Sequence, residues 1–163
     1  AAEARHLRAQ AKTPGPEYLH DEVGYNYRMP NIAAAMGLAQ LEQLPRFLAR
    51  KREIAERYDR TLPVRAPRAA WADPSFWLYS IQVPGPEPLR LSLAAAGIEA
   101  RPLWTPLHKM APYAGARCIG GQVAENLHAH GISLPSSVGL TAADQWKVIE
   151  AVKKALDTSA TAA

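Results

Sequence analysis

Phe76-Trp77-Leu78-Tyr79-Ser80-Ile81-Gln82-Val83 is where the chain changes character. Aromatic and branched residues crowd it, Pro84 stops it, and a Pro- and Ala-rich stretch, 63–74, precedes it. Such a run reads as a β-strand, because branched and aromatic side chains pack well on a pleated surface. Downstream the rhythm alternates. Leu89 to Ala96 reads as a helix ended by Gly97, a residue suited to the left-handed position after a last turn. Ile98 to Leu103 reads as a strand, Gln122 to His130 as a helix ended by Gly131, and Ile132 to Pro135 as a short strand. Thr141 caps a final helix, Ala142 to Leu156, with Trp146, Ile149, Val152 and Leu156 facing inward. This alternation predicts a small α/β layer.

Upstream of residue 63 the reading is helical. Pro30 sits where the first turn of a helix begins, and Asn31 to Leu44 is apolar nearly all round and rich in Ala. Pro45 separates it from a second predicted helix, Arg46 to Leu62, whose Phe47, Ile54 and Tyr58, with Leu48, Ala55 and Leu62, form an amphipathic stripe. Ala1 to Lys12 reads as the tail of a helix with no capping residue before it, so a longer chain is expected. Thr13-Pro14-Gly15-Pro16 breaks that helix.

Composition narrows the function classes. At 163 residues the chain is one domain, or one and a fraction, and large enough to fold without disulfides. The single Cys118 excludes a disulfide framework and a cysteine zinc site. No stretch approaches the roughly twenty apolar residues of a membrane helix, which points to a cytoplasmic protein without membrane contact. The formal net charge is +4, and Arg is concentrated between Arg46 and Arg68. A basic helix can track phosphates. Here Glu53, Glu56 and Asp59 interleave the Arg residues at helical spacing, so a solvated, self-paired face is favoured over a nucleic-acid surface.

Several reaction classes find no support. Neither common glycine-rich phosphate loop is present, nor a Gly-x-Ser-x-Gly elbow. His128 and His130 point in different directions on a helix, which is poor metal-ligand spacing, and no metal site is expected. Two clusters remain. In Gly24-Tyr25-Asn26-Tyr27-Arg28-Met29, Asn26 and Arg28 are two apart and a helix N-terminus follows. An amide, a guanidinium fork and free helical N–H groups suit a phosphate. A structural turn, with Arg28 paired to Asp21 or Glu22, is the alternative. In Arg101-Pro102-Leu103-Trp104-Thr105-Pro106-Leu107-His108, two prolines stiffen a loop that offers an imidazole and an aromatic wall. A packed Trp beside a surface His is its alternative.

Taken together, these segments resemble the C-terminal part of the DegT/DnrJ/StrS-type nucleotide-sugar aminotransferases. Leu19-His20-Asp21-Glu22-Val23-Gly24-Tyr25-Asn26-Tyr27-Arg28-Met29-Pro30-Asn31 is similar to the family's most recognisable stretch, and Ala34 to Leu41 to the helix after it. Gly97 to Trp104, with Pro106-Leu107-His108, resembles a loop of members acting on 4-keto-6-deoxy sugars. Gly131-Ile132-Ser133-Leu134-Pro135-Ser136 is similar to the short final strand.

The resemblance implies fold type I and pyridoxal 5'-phosphate as cofactor. It also implies a homodimer with shared active sites, and amino transfer, usually from glutamate, to a nucleotide-linked keto sugar in polysaccharide biosynthesis. It divides the chain into the end of a large domain with an interface motif (1–62), a linker (63–74), an α+β small C-terminal domain (75–157) and a frayed tail (158–163). Asn26 inherits contact with the cofactor phosphate of the neighbouring subunit, with Arg28 beside it. Tyr25, Tyr27, Arg101, Trp104 and His108 would face the substrate. The family's Schiff-base lysine would precede the matched residues. Lys12, Lys51, Lys109, Lys147, Lys153 and Lys154 all fall outside its motif, so no catalytic residue is expected here and the chain alone should be inactive. A non-catalytic binding or regulatory relative is the alternative function, and a basic nucleic-acid-binding domain a weaker one.

Overall fold

The computed structural model describes residues 1–161, and side chains as far as residue 158. The elements, in chain order, are α1 (Ala2–Leu7), α2 (Asn31–Thr61), β1 (Tyr79–Gln82), α3 (Pro86–Ala95), β2 (Arg101–Pro102), α4 (Gln122–His130), β3 (Gly131–Leu134) and α5 (Ala142–Thr161). Short 3-10 turns occupy Leu107–Lys109 and Ala111–Tyr113. The chain forms two compact units, Ala1–Leu44 and Pro45–Ala163.

Within the second unit the sheet order is β1-β3-β2, with β3 antiparallel to both neighbours. Central β3 is buried along its whole length, as a strand covered on both faces must be. Tyr79 pairs with Leu134, Ser80 with Ser133 and Ile81 with Ile132. The Ser80 and Ser133 hydroxyls meet at 2.9 Å across that ladder. Edge strand β2 tolerates Pro102, whose missing N–H costs nothing on an open side.

Helices cover this sheet through one core. Ile54, Ala55 and Tyr58 of α2, Leu89 and Leu93 of α3, and Val148, Ile149 and Val152 of α5 pack with Tyr79, Ile81 and Ile132. The Tyr58 and Tyr79 rings stack with centroids 4.8 Å apart. Their hydroxyls donate to the Pro135 carbonyl and to Asp59 Oδ1, each at 2.8 Å, and burial pushes both phenols well above the ordinary tyrosine range. Gln145 is fully buried and satisfied: its amide donates to the Ile54 carbonyl at 2.8 Å and its oxygen accepts from Arg57 at 2.9 Å.

Local signals explain most boundaries. Pro86 opens α3 at its first position. Gly97 (φ +72°) closes it, with Gly97 N–H bonded to the Ala94 carbonyl and Ile98 N–H to that of Leu93. Thr141 Oγ1 accepts from the Asp144 N–H at 3.0 Å and donates to the Asp144 carboxylate at 2.7 Å, a reciprocal cap on α5.

Other expectations are corrected. Pro45 does not divide two helices; α2 is one helix of 31 residues with the proline inside it. One lost donor is outweighed by helix-forming neighbours on both sides and by the anchoring of Ile54 to Tyr58 in the core. The strand predicted from Phe76 begins only at Tyr79, because Phe76 adopts φ +50°, which turns the chain out of the ladder. The strand predicted over Ile98–Leu103 shrinks to two residues. Gly131 follows the last residue of α4 as expected; with φ −93° it is extended, and it opens β3 where a Cβ would collide with Leu103. Trp146 is 45% exposed, and the buried stripe of α5 runs through Gln145, Val148, Ile149 and Val152. Helix α5 continues through Thr161, beyond the predicted fraying at residue 158; residues 162–163 lie outside the described residues.

The Arg-rich stretch is self-paired. Glu53 binds Arg50 and Arg57, Glu56 binds Arg60, Asp59 binds Arg68 and Asp73 binds Arg52. Among the described residues no helix is long and apolar enough to cross a membrane.

Candidate functional site

In the first unit, the motif around Asn26 is held as the second arm of an irregular hairpin. Tyr25 N–H donates to the Leu7 carbonyl at 2.7 Å, Gln10 N–H to that of Tyr25 and Tyr27 N–H to that of Arg8. Ala9 bridges Asn26, and Lys12 bridges His20, around the Pro14–Pro16 turn. The approach is close enough that a Cβ at Gly24 would collide with the backbone of Gln10 and Ala11. His6 completes the clamp. Its Nε2 lies 2.5 Å from Asp21 and 3.7 Å from Glu22; the Asp21 hydrogen bond raises the imidazole pKa and holds the carboxyl below the usual range. His6, not Arg28, is the partner of these carboxylates.

Tyr25 and Tyr27 stack on one side of the segment, with centroids 5.2 Å apart, which leaves Asn26 on the other side. The side chains of Asn26 and Arg28 are exposed and make no hydrogen bond or ion pair among the described residues. Helix α2 begins three residues beyond Arg28 and carries no acidic residue in its first turn. An amide, a guanidinium and unopposed helical N–H groups form a donor set suited to a dianionic phosphate.

In the second unit, a cleft of about 530 Å³ opens beside the end of β3. Arg101 and Trp104 line it, and so do Trp77 and Lys51. Trp77 and Trp104 stack with centroids 5.7 Å apart and planes at 22°. The Lys51 ammonium donates to the carbonyls of Trp77 (2.8 Å) and Ser136 (2.6 Å), and partial burial lowers its pKa. Arg101 reaches Glu99 at 2.6 Å yet stays 77% exposed, so its guanidinium remains open to an anion. A flat hydrophobic wall beside two cations accommodates a ligand with a ring and a phosphate.

His108 is not among the residues lining this cleft. Its Nε2 lies 2.9 Å from Glu125, which also accepts from Lys109 at 2.7 Å; these hydrogen bonds, that of Lys109 first, hold the Glu125 carboxyl below its usual range. Thus the structure brings Arg101 and Trp104 together, places His108 on a separate ion-paired cluster, and carries Tyr25, Asn26, Tyr27 and Arg28 on the other unit. Sequence reasoning missed Lys51 and Trp77. The aromatic density at the exit of the linker was a usable signal for Trp77. Lys51 gave none, because one Lys in a charged helical face looks like any other.

The fold places this arrangement in a class. A DegT DnrJ EryC1 StrS aminotransferase from Brucella abortus matches with a TM-score of 0.80 at 29% identity, over 92% of this chain and 42% of that one. The aminotransferase TlmJ from Streptoalloteichus hindustanus matches with a TM-score of 0.85 at 26% identity, over 98% and 45%. The architecture is that of the aminotransferases.

More specifically, the chain belongs to the DegT/DnrJ/EryC1/StrS aminotransferase family, whose model matches residues 1–153. GDP-perosamine synthase of Caulobacter vibrioides is 38% identical over 96% of this chain and 45% of its own length. The pyridoxal phosphate-dependent aminotransferase EpsN of Bacillus subtilis, so described as a putative one, is 38% identical over 90% and 41%. The chain therefore spans less than half the length of these relatives. Pyridoxal phosphate is the family's cofactor. The unpaired Asn26 and Arg28 ahead of α2 fit its phosphate.

Proposed function

We propose that this chain supplies the C-terminal region of a pyridoxal phosphate-dependent aminotransferase. The enzyme moves an amino group from glutamate to the keto carbon of a nucleotide-linked 4-keto-6-deoxy sugar, releasing 2-oxoglutarate, in the cytoplasm. When bound, the cofactor supplies the electron sink for that exchange, and its Schiff-base lysine lies outside this chain. The residues present do the rest of the work. Asn26 and Arg28 hold the phosphate of the site shared with the second subunit of a homodimer. Tyr25 and Tyr27, on the opposite side of the same segment, face the substrate. The first unit, Ala1–Leu44, belongs with a large domain, and Arg101 and Trp104 of the second unit, whose core includes the later part of α2, bind the nucleotide sugar. His108 lies outside this cleft, its Nε2 2.9 Å from Glu125, and is left out of the proposed binding set.

The observation that carries this reading is the cleft. The segment that resembles the family's sugar-binding loop lines a concavity with one aromatic wall and two cationic side chains, exposed Arg101 and partly buried Lys51. The kinship to GDP-perosamine synthases supports a nucleotide-linked sugar. The test is direct: full-length protein, loaded with pyridoxal phosphate, is incubated with glutamate and a GDP-linked 4-keto-6-deoxy hexose. Mass spectrometry should show conversion of the ketone to the amine, with one 2-oxoglutarate per amine formed. Absence of amine with GDP-, UDP- and dTDP-linked ketones would reject the reading.

A further inference from the structure

We propose that Trp77 and Trp104 form one stacking platform for the planar base of a bound nucleotide, and that Lys51 is the positioning residue that holds it. This rests on the reading of the cleft as a nucleotide-sugar site.

The two tryptophans come from separate places, one before β1 and one after β2. They stack on each other, yet Trp77 is 69% and Trp104 66% exposed. Core aromatics are enclosed on every side; these two keep most of their surface bare. Base stacking needs an open face, because any nucleobase presents a matching π-surface. The pair stands between two concavities. One is the cleft, with Lys51 and Arg101. The other, of about 520 Å³, is walled by Pro67, Ala69, Ala72 and Pro74, and its cation, Arg68, is committed to Asp59 and to the Phe76 ring. The first offers two cations to a phosphate attached to the base, Lys51 and an Arg101 that stays 77% exposed beside Glu99, whereas Arg68 is 44% exposed.

Lys51 explains how the platform keeps its place. The β1–β3 ladder ends at the pair Tyr79 and Leu134. Beyond it, Phe76 at φ +50° turns the chain away, so no rung of the sheet restrains Trp77. The Lys51 ammonium supplies the missing rung, joining the Trp77 carbonyl on the β1 side to the Ser136 carbonyl on the β3 side. Its own base is rigid, since α2 buries Ile54 and Ala55 one turn further on. Two of its three donors are used in this way, and the third remains for the ligand.

The experiment uses the full-length protein with Trp77→Ala, Trp104→Ala, Lys51→Met and Lys51→Arg variants. Near-UV circular dichroism without ligand reads the coupling of the stacked indoles, and calorimetry reads binding of GDP and, as a control without a base, pyrophosphate. Each Trp→Ala change should weaken GDP roughly tenfold or more and leave pyrophosphate unchanged. Lys51→Met should abolish the indole coupling, weaken GDP by a similar factor and raise KM far more than it lowers kcat. Lys51→Arg, which still offers two donors, should restore the coupling.

Undiminished coupling in Lys51→Met overturns the positioning role. Unchanged GDP affinity in either Trp→Ala variant overturns the platform, and those two variants decide that point even if Lys51→Met fails to fold. If GDP binds with the expected Trp dependence but no nucleotide-linked ketone is aminated, the platform stands and the proposed function falls.

Discussion

Replacing Asn26 by Ala isolates the cofactor role proposed for the motif from its structural role. The backbone of Asn26 is pinned in the bridge to Ala9, but its exposed amide has no partner among the described residues. Truncation therefore removes no folding contact, and unfolding free energy should move by less than about 0.5 kcal/mol. Binding is another matter. A hydrogen bond to a charged group contributes about 1.5–3 kcal/mol, so pyridoxal phosphate affinity should fall roughly tenfold to 150-fold. Equilibrium dialysis of the full-length protein against the cofactor reads that loss, and urea titration of the same samples reads stability. A second arm tests whether the contact crosses a subunit boundary. Asn26→Ala subunits are mixed with subunits lacking the Schiff-base lysine; each heterodimer then has one intact site and one doubly defective site. About half the normal activity per heterodimer should return. Cofactor affinity within twofold of the wild type would refute the phosphate role. Demonstrable heterodimers with no recovered activity would refute the contact in trans.

Gln145→Leu should destabilise the second unit by about 2–4 kcal/mol, because it strips a neutral hydrogen bond to the Ile54 carbonyl and a charged one from the buried side of Arg57; a lower urea midpoint at unchanged slope is the signature. The His6–Asp21 clamp gives a pH window. The raised His6 pKa stabilises fully below its ordinary 6.5 and is lost as pH rises through the higher folded value, whereas the depressed Asp21 pKa stabilises above its ordinary 3.8 and is lost as pH falls through the lower one. Amide protection factors over residues 20–27, measured relative to the intrinsic exchange rate at each pH, should therefore be greatest between those limits, and His6→Gln should flatten the profile. The first half of α2 exposes Ile32, Met36, Leu38 and Leu41, an apolar face that drives association. The isolated chain should sediment as an oligomer, and the double substitution Leu38→Glu with Leu41→Lys should reduce its mass toward that of a monomer.

Much of this was legible in the chain itself, for local reasons. Helix α4 was read at its exact limits, since its apolar period and flanking glycines are short-range signals. Gly97 and Thr141 were assigned their capping roles correctly because caps depend on the nearest three or four residues. The pairing of Arg with Glu along α2 followed from helical spacing alone. Family membership was also legible, since motifs such as Gly24 to Asn31 and Gly131 to Ser136 keep their order and composition.

What the tertiary structure decided lies at longer range. Whether Pro45 breaks a helix depends on what anchors both sides of it, and the core contacts of Ile54 and Tyr58 are made with strands far along the chain. The length of β1 was set by the turn at Phe76, which no propensity scale anticipates, and the solvent position of Trp146 by the stripe that α5 presents to its neighbours. The cleft is the clearest case. Arg101 and Trp104 stand three residues apart and could be proposed together, but Lys51 and Trp77 join them only because α2 crosses the end of the β1–β3 ladder. Sequence spacing records which side chains share a face; only the packed sheet brings a lysine of one helix to two carbonyls at sequence distances of 26 and 85 residues.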